Sequence, residues 1–187
     1  MTVRDKVSFT AMEHGTQADY DLVAEFDAAH IAGQADRVLE WLRAMDGESP
    51  YRISRLQHCL QSATRAQRDG ADDETVVCAL LHDIGDIIGP ANHSQAAAAL
   101  LAPYVSDKNL WIVRHHGLFQ GYYYFHFFGQ DRNAREQYRD HPYYQDCVDF
   151  CARWDQPSFD PDYDTLPLEH FEPLVRALFA REPKAHV

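Results

Sequence analysis

The sequence predicts an all-α fold. Apolar residues recur at helical spacing along most of the 187-residue chain. Glycine, proline and capping residues punctuate these stretches at helix-like intervals. No internal repeat, low-complexity segment or linker divides the chain, so one domain over 1–187 is expected, with its chemistry concentrated at about 52–157.

The elements run in this order. A first helix is expected from Thr16 to about His30, and a second from Asp36 to Met45. Arg52 to Arg68 carries Ile53, Leu56, Leu60 and Ala63 on one side, and Gly70 ends it. Asp72 and Asp73 open a helix through Val76, Val77, Leu80 and Leu81. Gly85, Gly89 and Pro90 break that helix, and Asn92 is placed to cap the next, HSQAAAALLAPY. Ser106 and Asp107 start another, through Leu110, Trp111 and Val113. Gly117 and Gly121 are expected to loosen the chain before YYYFHFF, whose β-favouring residues leave a strand open as the alternative. Tyr143 to Trp154 reads as a helix burying Val148 and Phe150, and Leu168 to Ala180 as the last.

Composition excludes some functions. The net charge of −12 argues against nucleic acid, whose phosphate backbone calls for a basic surface. No apolar run is long enough for a membrane span, and MTVRDKVSFTAMEHG has no apolar signal core, so a cytoplasmic protein is expected. Cys59, Cys78, Cys147 and Cys151 then read as reduced thiols. Cys147 and Cys151 stand one helical turn apart but without a partner Cys-x-x-Cys, and read as small core residues.

The chemistry lies in the placement of histidines and aspartates. His82 and Asp83 close the helix VVCALL; His58 lies in the preceding helix, between Leu56 and Leu60. His93 opens the helix after the HDIGD loop, His115 and His116 come later, and Asp155 stands directly after Trp154. Any one of these is unremarkable alone. Ligands drawn from successive helices are how a helical bundle builds a metal site, and imidazole with carboxylate suits iron, manganese or zinc. Six ligands exceed what one ion with an open position needs. They suit two ions, with Asp83 as the bridge because a carboxylate has two oxygens.

The pattern His58…His82-Asp83…Asp155 resembles the HD superfamily of helical metal enzymes, and the added His93 and His116 resemble its dinuclear branch. The resemblance implies one metal on His58, His82, Asp83 and Asp155, and a second on Asp83, His93 and His116, with His116 preferred over His115. That branch holds phosphohydrolases and oxygenases. In many of the hydrolases a lysine near the doublet polarises phosphate, whereas HDIGD places Asp86 there. LQHCLQSATRAQRDGADDETVVCALLHDIGD and RHHGLFQGYYYFHFFGQDRN are most similar to mixed-valent diiron oxygenases that cleave organophosphonates, in particular those acting on a trimethylammonium hydroxyphosphonate. That likeness implies two iron ions, Fe(II) and Fe(III), O2 as co-substrate, and a small organophosphonate as the partner, split to glycine betaine and phosphate.

Substrate contacts can be assigned by chemistry and by likeness. Aromatic faces attract quaternary ammonium groups, so Tyr122, Tyr123 and their neighbours in YYYFHFF are candidates for a cage, with Asp86 adding charge. For the anionic end the resemblance implies Gln57, Gln120 and Asn133. Arg135 or Arg132 adds a planar fork suited to phosphonate oxygens. Relatives also carry a metal-gating tyrosine ahead of the first ligand histidine. Tyr51, at a shorter spacing, or Tyr20 would fill that place. The runner-up is a metal-dependent phosphohydrolase acting on a nucleotide or phosphate monoester; a third reading is a sensor that keeps only the fold.

Overall fold

A computed structural model describes residues 6–184. Among them are eight α-helices and no strands: α1 (Gln17–Ala32), α2 (Gln34–Ala44), α3 (Arg55–Arg68), α4 (Asp73–Leu81), α5 (His93–Leu101), α6 (Asp107–Tyr124), α7 (Tyr144–Phe150) and α8 (Leu168–Phe179). Short 3-10 turns and one π turn join them. None of these helices is long and apolar enough to cross a membrane. The first five residues of the N-terminal stretch MTVRDKVSFTAMEHG lie outside the described residues.

Helix α4 explains the architecture. Val76, Val77, Cys78, Ala79, Leu80 and Leu81 are all buried. A helix apolar on every side must be surrounded. Helices α3, α6 and α8 pack around it, and α2 completes the layer behind α3 and α8. The centre of the bundle therefore ends where α4 ends, at His82 and Asp83.

Helix starts obey their caps. Thr16 and Asp19 form a reciprocal capping box for α1. Ser54 accepts from Gln57 N, so α3 begins at Arg55 rather than at Arg52. Asp72 caps α4 and Ser106 caps α6 through their side chains. Asn92 does not cap α5. Its backbone sits at φ −140° and ψ 36°, off the extended conformation that capping residues use.

Helix α6 corrects the sequence reading most. It does not loosen at Gly117 but runs on to Tyr124, and Phe125–Phe128 continues as a 3-10 turn rather than a strand. The glycines serve close packing instead of breaking the helix. A Cβ on Gly117 would lie 2.7 Å from Ser94 Oγ, so the missing side chain lets α5 dock against α6. Gly85 does the same for the loop below, where a Cβ would run into the His93 carbonyl group.

The helix expected from Tyr143 to Trp154 is α-helical only to Phe150 and then widens into a π turn over Cys151–Asp155, where Gln156 N donates to Cys151 O at 2.9 Å. Phe150 is buried, and Val148 is only partly so. All four cysteines are buried free thiols, consistent with their reading as core residues.

Candidate metal centre

Five elements deliver six side chains to one place. His58 comes from α3, and His82 and Asp83 from the end of α4. His93 opens α5, His116 sits midway along α6, and Asp155 closes the π turn. The extra residue that a π turn inserts rotates the side chains beyond it, and such turns concentrate at functional sites. Here it carries Asp155 inward, where it is 2% exposed.

Each imidazole is oriented by a backbone carbonyl. His58 Nδ1 lies 2.9 Å from Ser158 O, His82 Nδ1 2.8 Å from Ala79 O, and His116 Nδ1 2.7 Å from Val113 O. His93 Nδ1 makes a longer contact, 3.4 Å, to Pro90 O. A carbonyl only accepts, so Nδ1 carries the proton and donates. In the neutral ring Nε2 is left with its lone pair pointing into the cluster. That is the tautomer and orientation of a metal-ligating histidine.

The inward atoms fall into two sets that share Asp83. Its Oδ2 lies 3.5 Å from His58 Nε2 and 3.6 Å from His82 Nε2, and its Oδ1 lies 3.1 Å from His116 Nε2 and 3.4 Å from His93 Nε2. Asp155 Oδ1 joins the first set, 3.3 Å from His58 Nε2 and 3.6 Å from His82 Nε2. Both His58–His82–Asp155 and His82–Asp83–His116 are compact enough to hold an ion.

Two observations test whether metal fits. His58 Nε2 and His82 Nε2 face each other at 3.1 Å. As neutral acceptors they repel. As ligands bonded at about 2.0–2.1 Å they would be spaced as the edge of one coordination shell. Asp155 Oδ2 is buried with no hydrogen-bond partner, a costly state for a carboxylate that a cation relieves. The donor sets fit a dinuclear site.

Electrostatics agree. Burial pushes the His58 and His82 imidazoles down. The carboxylates outweigh it, Asp155 with Asp83 at His58 and Asp83 with Asp155 at His82, so both end above their ordinary value. Burial pushes Asp83 and Asp155 up. The His82 charge, joined by His116 at Asp83 and by His58 at both, holds them below the carboxylate range. The cluster is built to carry positive charge among its carboxylates.

The donors open into a cavity of about 700 Å³, a size suited to a small molecule. Among the candidate contacts, Tyr51, Asp86, Gln120 and Tyr123 line it. Gln120 Nε2 donates to Asp155 Oδ1 at 3.0 Å, and its own Oε1 is buried without a partner. Asp86 is on the wall as expected, but its carboxylate is paired with the Arg55 guanidinium, so its charge is already met within the protein. Burial and the nearby Asp83 charge still leave its carboxyl raised.

Four candidates, Gln57, Asn133, Arg135 and Tyr122, do not line this cavity. Gln57 is exposed, because adjacent residues on a helix diverge by about 100° and His58 takes the inward direction. Asn133 is exposed beyond the 3-10 turn. Arg135 stacks its guanidinium 3.9 Å from the centre of the Tyr122 ring, with Arg132 4.2 Å from the same ring, and these cations engage Tyr122 away from the cavity. His115 stacks on Trp111 at 4.3 Å, outside the cluster. Tyr20 is elsewhere, bonded to Met12 O.

The sequence reading missed Arg55 and Phe159. Arg55 stands three residues before His58, which places both on one face of α3; that spacing was a usable signal. Phe159 stacks on His58 at 4.4 Å and against Tyr51 at 4.7 Å. It lies in an irregular segment where no periodicity announces which way a side chain points. Tyr124, Phe127 and Phe128 complete the aromatic wall.

Comparison with known proteins agrees with this geometry. No curated protein matches the chain. A family model described as HD domain matches residues 55–150. That span holds five of the six converging donors, and the sixth, Asp155, lies just beyond it. With its histidine–aspartate doublet at the end of a central helix and partner ligands on the helices around it, the chain belongs to the HD-domain family of metal-dependent enzymes.

Proposed function

We propose that this protein is an iron- and oxygen-dependent dioxygenase that cleaves the carbon–phosphorus bond of a small 1-hydroxy-2-aminoethylphosphonate, in its N-trimethylated form. The observation that carries this reading is the lining of the cavity. Six aromatic rings, Tyr51, Tyr123, Tyr124, Phe127, Phe128 and Phe159, share it with the metal-ligand cluster. Its one lysine or arginine, Arg55, is tied to Asp86. A polyanionic nucleotide would find little free positive charge along such a wall. A quaternary ammonium group finds π faces, which hold cations by their quadrupole without requiring a counter-charge. The likeness of the flanking sequence to organophosphonate-cleaving oxygenases supports the same substrate.

His58, His82, Asp83 and Asp155 would hold one iron, and Asp83, His93 and His116 the other. When bound, the two ions supply the activation of O2 that no side chain here provides. The protein's part is positioning. The aromatic wall binds the trimethylammonium end and excludes water, so the hydroxyphosphonate end is presented to the cluster. Gln120 lines the cavity, fixed by its bond to Asp155, and its buried Oε1, without a partner in the protein, is the acceptor for the substrate hydroxyl. The reaction balances with one O2: one oxygen atom joins the carbon to give the carboxylate of glycine betaine, the other joins phosphorus to give phosphate, and the C–P bond breaks.

The test is metal analysis of anaerobically purified protein, then oxygen uptake with a panel of phosphonates. The reading expects about two irons per chain and O2 consumption only when a hydroxyphosphonate is added, fastest with the trimethylated one. Phosphate release that continues without O2 would overturn it in favour of a hydrolase.

A further inference from the structure

A second cavity, of about 460 Å³, lies behind the metal centre. It shares three wall residues with the first: His93, Gly117 and Tyr124. The partition between the two is therefore one imidazole ring, one tyrosine and a residue with no side chain. His93 is the most exposed of the six converging side chains, at 30%.

The chemistry of the two cavities is opposite. Asp83, Asp86 and Asp155 line the first. No carboxylate lines the second, although the chain carries 29 acidic residues and a net charge of −12. Its polar groups include Asn92, Ser94, Gln95 and Arg114, alongside His93, Tyr124, Tyr138 and His115, the last held against Trp111. Arg114 has no ion-pair or hydrogen-bond partner among the described residues, and the Asn92 side chain is not spent on capping α5. This arginine stands beside the neutral side chains of Asn92, Ser94 and Gln95 and next to His93, whose Nε2 takes up the Ser94 hydroxyl at 3.2 Å.

We infer that this second cavity binds a small oxyanion of the phosphate class, held by Arg114 with Asn92 and Gln95, on the far side of His93 from the substrate cavity. A guanidinium offers such an anion a two-pronged, charge-assisted contact.

The test is isothermal titration of inorganic phosphate into the metal-loaded protein at constant ionic strength. Wild type is compared with Arg114→Gln, Gln95→Leu and, as a control in the first cavity, Arg55→Gln. Arg114 and Gln95 are exposed, so their replacement spares the core. The inference expects a dissociation constant roughly tenfold weaker in Arg114→Gln, a smaller loss in Gln95→Leu and no change in Arg55→Gln. Phosphate binding that is absent in wild type, unchanged in Arg114→Gln, or lost only in Arg55→Gln overturns it. Arg114-dependent phosphate binding without any C–P cleavage would leave the anion site standing and remove the dioxygenase reading.

Discussion

Single residues in the centre are constrained by what their other end touches. The four imidazoles present Nε2 inward because Nδ1 is bound to carbonyls of Ser158, Ala79, Pro90 and Val113. Asp155 and Asp83 favour a proton on His58 and His82 despite their burial, so a metal ion competes with protons for Nε2. Metal affinity should therefore rise with pH through the neutral range, with proton release on metal addition. Calorimetry in buffers of differing ionisation enthalpy would detect it, and an affinity flat across that range would contradict the competition between metal and proton. The aromatic wall has its own consequence at this scale. Phe127 lines the cavity yet is 78% exposed, so Phe127→Leu should leave stability unchanged. Loss of one π face should lower the preference for a trimethylated over a free-amine substrate by roughly 2- to 5-fold, read as a ratio of kcat/KM values. The converging donors were legible from residue type and helical placement, with the family resemblance deciding His116 over His115. Of the candidate contacts, Tyr51, Asp86, Gln120 and Tyr123 line the cavity; Gln120 stands one turn from His116 and shares its face, whereas Gln57 is adjacent to His58 and so points away. Arg135 was misplaced because its partner, the Tyr122 ring, is a tertiary contact that no spacing reports.

At the scale of elements, docking geometry rests on glycines and on one buried carboxylate. Periodicity located every helix, since apolar spacing survives tertiary packing. It failed at Gly117 and Gly121, where the absent side chain serves a neighbouring helix or ring rather than a turn, and at the π turn, whose register depends on contacts distant in sequence. Gly85→Ala should destabilise the protein by about 1–3 kcal/mol or more, because the new methyl meets the His93 backbone rather than a yielding side chain. It should also displace His93 and lower metal content, a loss that chemical denaturation and metal analysis would report together. Glu74 ties the start of α4 to the start of α6 and to the chain after α8. It accepts from Ser106 N at 2.7 Å and from Asn109 Nδ2 at 2.9 Å, and it pairs with Arg181. Burial pushes its carboxyl up, but the Ser106 amide and Arg181 pull it down from 4.5 to about 2. A lowered folded-state value stabilises fully above pH 4.5 and is lost as pH falls toward 2. Acid unfolding of Glu74→Gln should therefore show a shallower pH dependence across that window than wild type. An identical profile would remove Glu74 from the acid response.

At the scale of the whole molecule, the metal centre sits where the bundle's most buried helix ends, so ions bound there clamp α3, α4, α5, α6 and the π turn together. The all-α class was readable because nearly every segment repeats at helical spacing; the pairing of helices was not, because it depends on which faces meet. A ligand present at about a thousand times its dissociation constant stabilises the folded state by about 4 kcal/mol. For a chain of this size that corresponds to a rise in Tm of roughly 8–16 °C, which a chelator should reverse in thermal unfolding experiments. The central claim is narrower: both ions depend on Asp83, whose two oxygens face the two ligand sets. Metal content per folded chain, measured for wild type and Asp83→Ala after identical loading, tests it most directly. The account predicts about two ions in wild type and neither retained in the variant. An Asp83→Ala protein that keeps both would contradict it.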